Sequence, residues 1–296
     1  AKGLVLTLAH DTVGTGPRLQ MLTPDNSVNR RVEQEFSQWC RNVRLAEKLR
    51  TMRMARAADG EAFALLTDNQ ALPSAIKLDV QQIECDQVTT PDLSLKALRE
   101  IDGIRFDDDG NPVEFHILRN HPGDPQAGIG FKYDRVPASS VIHYYRADRP
   151  GQSRGIPDIT PALPLFAHLR RYTLAVITAA EIAALPGGVL YTDAPANGEA
   201  ESVEPMDLIE LERGMLMTMP GGWKVSQIQA QFPTTTYGEF KREILGEIGR
   251  CLLVPVNVLT GDSSRHNYAS GRLDHQTYFK SIRVEQSHLE AVVMDR

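Results

Sequence analysis

Few residue groupings in this chain have spacings suited to chemistry, and each fails on a specific requirement. Gly14-Thr15-Gly16-Pro17 is glycine-rich, but no Gly-Lys-Ser/Thr follows and no helix receives a phosphate, so it reads as a turn. Gly261-Asp262-Ser263-Ser264-Arg265 half-matches a nucleophile elbow, yet the second Gly is missing and no strand enters it. Asp107-Asp108-Asp109-Gly110 lacks the alternating acidic ligands and distal Glu of a calcium loop, which leaves a solvated hairpin turn. His116 and His121 belong to no HExxH or Cys/His cluster, so zinc is not expected. Cys40, Cys85 and Cys251 lie far apart, which fits ordinary thiols in a reducing compartment rather than a disulfide framework. The expectation is therefore no enzyme, no metal and no cofactor.

What remains is charge laid out on surfaces. Glu239, Glu243 and Glu247 recur at i, i+4, i+8 and form an acidic ridge on a helix that also carries Lys241 and Arg242. The ridge is either a solvated face or the lining of an aqueous space. Residues 28–58 hold eight Lys/Arg against three Glu, which gives a basic helical face. No aromatics interleave with its arginines, so stacking of single-stranded nucleic acid is not indicated. Residues 187–233 are the reverse, with seven Asp/Glu against two basic residues.

The elements that must carry these surfaces follow from periodicity. Residues 4–8 (Leu-Val-Leu-Thr-Leu) and 18–22 read as short strands. Pro24-Asp25-Asn26-Ser27 is a turn with helix-starting chemistry. One helix is expected over 28–58, with Val32, Phe36, Trp39, Val43, Ala46 and Leu49 as its apolar stripe. Asp59-Gly60 ends it. Strands follow at 61–67 and 75–83, the latter with Ile76, Leu78 and Val80 on its inner face. A hairpin joins 104–106 to 113–118, and 141–145 is a further strand. A Gly/Pro-rich connector over 149–157 leads to a helix at 162–185. Strands and loops occupy 189–233, a second helix spans 237–253, a loop spans 256–268, and a last helical pattern starts near Ala269. A small β-rich module is thus inserted between two helices.

The 296 residues carry a net charge of −6, with 42 % hydrophobic and 24 % charged residues, which suits a globular α+β protein of about two domains. The charge balance excludes a histone-like polycation, and the apolar content excludes a disordered acidic tail. The longest apolar stretch, 174–185, is too short to cross a bilayer, so no membrane partner is expected. The chain opens at Ala1 without a Met and stops inside a helical pattern, so it is expected to be the ordered middle of a longer protein.

Two segments carry a family resemblance. The first is Val141-Ile142-His143-Tyr144-Tyr145-Arg146-Ala147-Asp148-Arg149-Pro150-Gly151-Gln152-Ser153-Arg154-Gly155-Ile156-Pro157, followed by Thr160-Pro161-Ala162-Leu163. The second is Leu253-Val254-Pro255-Val256-Asn257-Val258-Leu259-Thr260-Gly261-Asp262, followed by Asn267-Tyr268-Ala269-Ser270-Gly271-Arg272. Both resemble the lambda-type portal proteins of tailed bacteriophages, in order and spacing. Ala269 and Gly271 are mild departures.

The resemblance implies an α+β wing at 1–161, stem helices at 162–186 and 234–254, and a β-containing clip at 187–233. A tunnel loop would follow at 255–268, and a helix at 269–296 would return to the wing and lead to a crown. It implies a homo-oligomeric ring of 12 copies at one capsid vertex of the virion, assembled in the bacterial host cytoplasm. Double-stranded DNA would pass through the ring non-specifically during packaging and ejection. The terminase large subunit, a head–tail adaptor and the major capsid protein would be its partners.

Within that architecture the charged surfaces take roles. Arg265, His266 and Asn267 would face DNA from the tunnel loop. Glu239, Lys241, Arg242 and Glu243 would line the channel. Glu199, Glu201, Glu204 and Asp207 would dock partners at the clip. Arg41, Arg44 and Arg53 would form the basic side of the subunit interface. The rival reading is a structural or interaction protein of a capsid or tail without a DNA channel.

Overall fold

The computed structural model describes residues 1–90, 99–125, 132–184, 188–192, 223–227 and 236–296. The chain divides into two units, residues 1–163 with 249–296, and residues 164–248.

The first unit is built in three layers. Its middle layer is an antiparallel sheet in the order β2-β1-β7, from β1 (Glu61–Asp68), β2 (Leu78–Ile83) and β7 (Val141–Tyr145). Period-2 alternation sorts its side chains. Ala62, Ala64, Val80, Ile142 and Tyr144 face one side, under the helices α2 (Asn26–Asn42) and α3 (Leu45–Asp59), where Trp39, Val43, Leu49 and Met52 complete the core. Phe63 and Val141 face the other side. They pack on Ile104, Phe115 and Ile117 of a second antiparallel sheet, β3 (Glu100–Ile101), β4 (Ile104–Phe106), β5 (Pro112–Leu118) and β6 (Tyr133–Pro137). The helix α1 (Lys2–Val13) packs against α3. After α6 (Val256–Thr260), the helix α7 (Tyr268–Leu289) and one π-turn (Glu290–Met294) send Leu289 and Val293 into the same core.

The second unit contains most of α4 (Leu163–Ala184) and of α5 (Tyr237–Cys251), with an antiparallel strand pair, β8 (Gly188–Thr192) with β9 (Trp223–Gln227). Tyr172 stacks on Tyr237 and leans on Phe240, which joins the two helices.

Several elements differ from the sequence expectations. Residues 4–8 are helical within α1, not a strand. Leu4, Val5, Leu8, Ala9 and Thr12 are buried, a stripe visible only over twelve residues and not over five. Residues 18–22 form no strand; Met21 N–H donates to Glu33 at 2.8 Å and Leu22 stays exposed.

The single helix over 28–58 is two helices, broken where Arg44 adopts φ 55°, ψ 42°. No Gly or Pro marks the break. The left-handed residue re-aims α3 so that Leu45, Leu49, Met52 and Arg53 all face inward. Of the expected inner face of β2 only Val80 is buried, because Ile76 lies ahead of the strand and Leu78 at its start. Residues 256–260 are helical, which shortens the expected loop to 261–267.

Two turns depend on backbone geometry. The end of α5 is a Schellman closure, with Leu253 N–H donating to Arg250 O and Val254 N–H to Gly249 O. Leu253 takes the left-handed position at φ 57° that glycine usually fills. Gly60 ends α3 at φ 100° and presses against Gly155, where an added Cβ would lie 2.1 Å from Gly60 O.

Gly155→Ala should therefore destabilise the protein by about 3 kcal/mol, because backbone must move. Gly151→Ala, at φ 74° in open space, should cost about 1 kcal/mol from strain alone. Urea midpoints of the two variants check this order.

Candidate functional site

The first family-like segment, 141–157, forms an internal fastening. Strand alternation sends His143 and Tyr144 to opposite faces of β7. His143 stacks between Phe63 and Tyr145, each with ring centroids at 4.2 Å, and its Nε2 lies 2.8 Å from Glu61 Oε2. Arg154 Nε donates to Glu61 Oε1 at 2.6 Å. Its Nη1 donates to the carbonyls of Val88 and Asp102, and its Nη2 to that of Cys85. Gly155 N–H donates to Glu61 Oε2. Gln152 closes its own turn through Arg154 O and Asp148 N–H.

Burial works to raise the Glu61 carboxyl, but hydrogen bonds from His143 and Arg154 outweigh it and hold the group below its ordinary value. Burial pushes His143 below its ordinary value against the pull of Glu61, so a neutral ring donates Nε2–H to a carboxylate.

On the other face, Tyr144 receives Arg56. Arg56 Nη1 donates to the Tyr144 hydroxyl at 2.9 Å, and its guanidinium carbon lies 5.0 Å from the ring centroid. Arg56 is 0 % exposed. Its Nη2 lies 2.7 Å from Glu285 of α7, an ion-pair distance whose angles are not those of a hydrogen bond. Arg53 Nη1 donates to Asp158 at 3.0 Å, and Arg146 approaches the same carboxylate at 3.2 Å. Burial works against the charge of Arg56; Tyr144, Asp158 and Glu285 keep it on. Burial likewise opposes ionisation of Glu285, and Arg56 holds its pKa low.

The proposed site residues divide by environment. Arg41 and Arg44 are exposed, and Arg44 pairs with Glu47. Arg53 is not on the basic surface: it is buried with Arg56, because α3 turns that stretch inward. Glu239, Lys241 and Glu243 are exposed on α5, and Arg242 is half-buried. Ile244 and Ile248 form the buried side of that helix. In the loop Arg265 is exposed. His266 lies 3.5 Å from Asp274, and Asn267 caps α7 by accepting from Ser270 N–H. Asp262 accepts from Ser264 N–H, a bond that holds its carboxyl below its ordinary value. The loop is thus held by its own hydrogen bonds with Arg265 turned outward. Glu199, Glu201, Glu204 and Asp207 lie outside the described residues.

Among the described residues, no group of three His, Cys, Asp or Glu side chains could hold a metal, and no helix is long and apolar enough to cross a membrane. Sequence reasoning missed Glu61, Arg56, Asp158 and Glu285. For Glu61 and Arg56 the available signal was a charged residue inside an otherwise apolar strand or helix stripe; Asp158, in the connector, carried none.

Residues 1–286 match the family described as phage portal protein, lambda family. The chain belongs to this family. A relative named a probable portal protein, from Halomonas phage phiHAP-1, is 24 % identical over 279 residues, covering 88 % of this chain and 54 % of the relative. The chain therefore spans about half the length of that curated relative. Among solved structures, the neck of an empty gene transfer agent particle computed with C6 symmetry superposes with a TM-score of 0.55 at 14 % identity. It covers 84 % of this chain and 64 % of that one. The virion of a native gene transfer agent particle gives 0.51 at 13 % identity, over 94 % and 80 %.

These likenesses fix an α+β portal fold. In this family member, Arg154 and Gly155 of the Arg-Pro-Gly-Gln-Ser-Arg-Gly segment brace layers of the first unit, while Arg149, Pro150 and Gly151 are exposed.

The brace makes stability depend on acid. His143 is depressed when folded, so below its unfolded value of 6.5 the unfolded chain takes up a proton that the native state refuses. Glu61 is also depressed, so its contribution is present above 4.5 and is lost as pH falls further. Urea stability should fall between pH 7 and 5, with His143 contributing at most about 1.4 kcal/mol per pH unit. In His143→Gln the pH dependence over that window should flatten, and urea titrations at pH 7, 6 and 5 check it.

Proposed function

We propose that this chain is a subunit of a twelve-fold portal ring at one capsid vertex, through which double-stranded DNA enters and leaves. On this reading residues 1–161 are the wing, 162–186 and 234–254 the stem, 187–233 the clip, and 255–268 the tunnel loop. The observation that carries it is the state of α4. This 22-residue helix is apolar on most sides, yet among its described side chains, residues 163–181, few are buried. Leu174 and Ile177 are 51 % and 48 % exposed on the side away from Tyr172 and Ala179. A helix of that composition requires further protein around it, and copies of the same chain arranged head to tail supply it in a closed ring. Family membership and the portal fold support the same reading, as does the C12 symmetry used for the neck of the native gene transfer agent particle.

The exposed ridge of Glu239, Glu243 and Glu247 suits a channel that a polyanion must traverse without sticking, because each neutralised phosphate adds affinity. Arg265 on its braced loop offers one weak, sequence-independent phosphate contact per copy. The acidic segment with Glu199, Glu201, Glu204 and Asp207 suits docking of a basic surface on the terminase large subunit or the head–tail adaptor. The major capsid protein would surround the ring in the virion after assembly in the bacterial host cytoplasm. The energy for packaging would come from the motor, and the ring would act as a conduit.

Two outcomes follow. Leu174→Glu with Ile177→Glu should shift the protein from a ring of about a dozen copies to monomer by mass photometry, while the far-ultraviolet spectrum is unchanged. A wild-type assembly without a central pore in negative stain would overturn the portal reading in favour of a channel-less structural protein. Arg41→Glu with Arg44→Glu should lower ring yield in a salt-dependent manner. Unchanged assembly at low salt would remove these arginines from the interface.

A further inference from the structure

One charged surface is not used by the roles above. Along α7 the side chains divide sharply between a buried face and an exposed one. Tyr278, Ile282, Glu285 and Leu289 point into the first unit. The opposite face carries Arg272, Gln276, Lys280 and Arg283, all exposed. None of the three cations has an ion pair or side-chain hydrogen bond among the described residues. The two acids of the helix are already engaged, Asp274 with His266 and Glu285 with Arg56. At 1.5 Å per residue, Arg272 stands about 12 Å from Lys280 and about 16 Å from Arg283 along the axis. Apolar side chains lie only at the edges of this spine, Tyr268 and Phe279 on one side, Leu273 and Val284 on the other.

That layout is the inverse of a subunit contact, which places apolar groups at the centre and charge at the rim. Unpaired cations in a central line, with no acid among them, match a polyphosphate backbone. We infer that the exposed face of α7 is a second contact for the duplex, meeting its phosphates through Arg272, Lys280 and Arg283. The contact is sequence-independent, since such side chains bond phosphate oxygens and read no base edges. It rests on the DNA-conduit reading and adds a surface to it beyond the loop.

The test uses purified rings and a random-sequence duplex, with binding read by fluorescence anisotropy from 50 to 200 mM salt. For Arg272→Gln/Lys280→Gln/Arg283→Gln, ring mass should be unchanged. The slope of log affinity against log salt should fall by about 2–3 for each copy whose α7 meets the duplex, since each lost phosphate contact removes about 0.9. The charge-conserving Arg272→Lys/Arg283→Lys should keep the wild-type slope. An unchanged slope in the triple variant, with wild-type rings binding duplex, overturns this inference and leaves the conduit reading standing. Loss of the ring in the triple variant also overturns it, because the face is then covered by a second copy. Wild-type rings that bind no duplex at any salt overturn both.

Discussion

A guanidinium leaves water only when carboxylates, hydroxyls or carbonyls come to meet it, and that constraint organises the first unit. Arg53 and Arg56 are buried on α3, and Arg154 is largely buried. Their partners arrive from distant parts of the chain: Tyr144 and Asp158 around β7, Glu285 on α7, Glu61 on β1. Each pair requires helix, sheet and connector to be in place together. Removing one partner leaves a buried charge, a loss of about 3–5 kcal/mol. The helical layer, the middle sheet and α7 are thereby tied by charge as well as by apolar packing.

The same constraint sorts the charges by role. Those inside are matched one against another and hold the fold. Those outside, on α2, α5, α7 and the 261–267 loop, are left for solvent and partners. A modest net charge of −6 hides this division. Acidic and basic surfaces on different elements are not the pattern of a tight nucleic-acid binder, whose charge would be concentrated in one sign.

Elements with a long, strong period were legible. The helices α4, α5 and α7 and the strands β1, β5 and β7 stand close to where apolar spacing put them. The end of α3 was legible because Gly60 is a breaker with a physical cause. Residues 4–8 were not, since five apolar residues satisfy strand and helix alike. The break at Arg44 was not, since an arginine carries no signal for a left-handed backbone; packing of Leu45 and Leu49 imposes it. Of the site, the exposed charges of α5 and the 261–267 loop were legible as surface. Arg53 was misplaced because a periodic basic face was projected along a helix that in fact turns.

The sequence by itself determined the family, through two segments whose order and spacing are specific, and with it the α+β class. What those segments do was decided only in three dimensions. In one dimension Arg154 is only one residue of the first segment. In the fold it meets Glu61, ninety-three residues away, and becomes a brace. Whether a charge serves function or structure depends on who neutralises it, and the neutralising group is set by tertiary contact, which linear spacing does not contain.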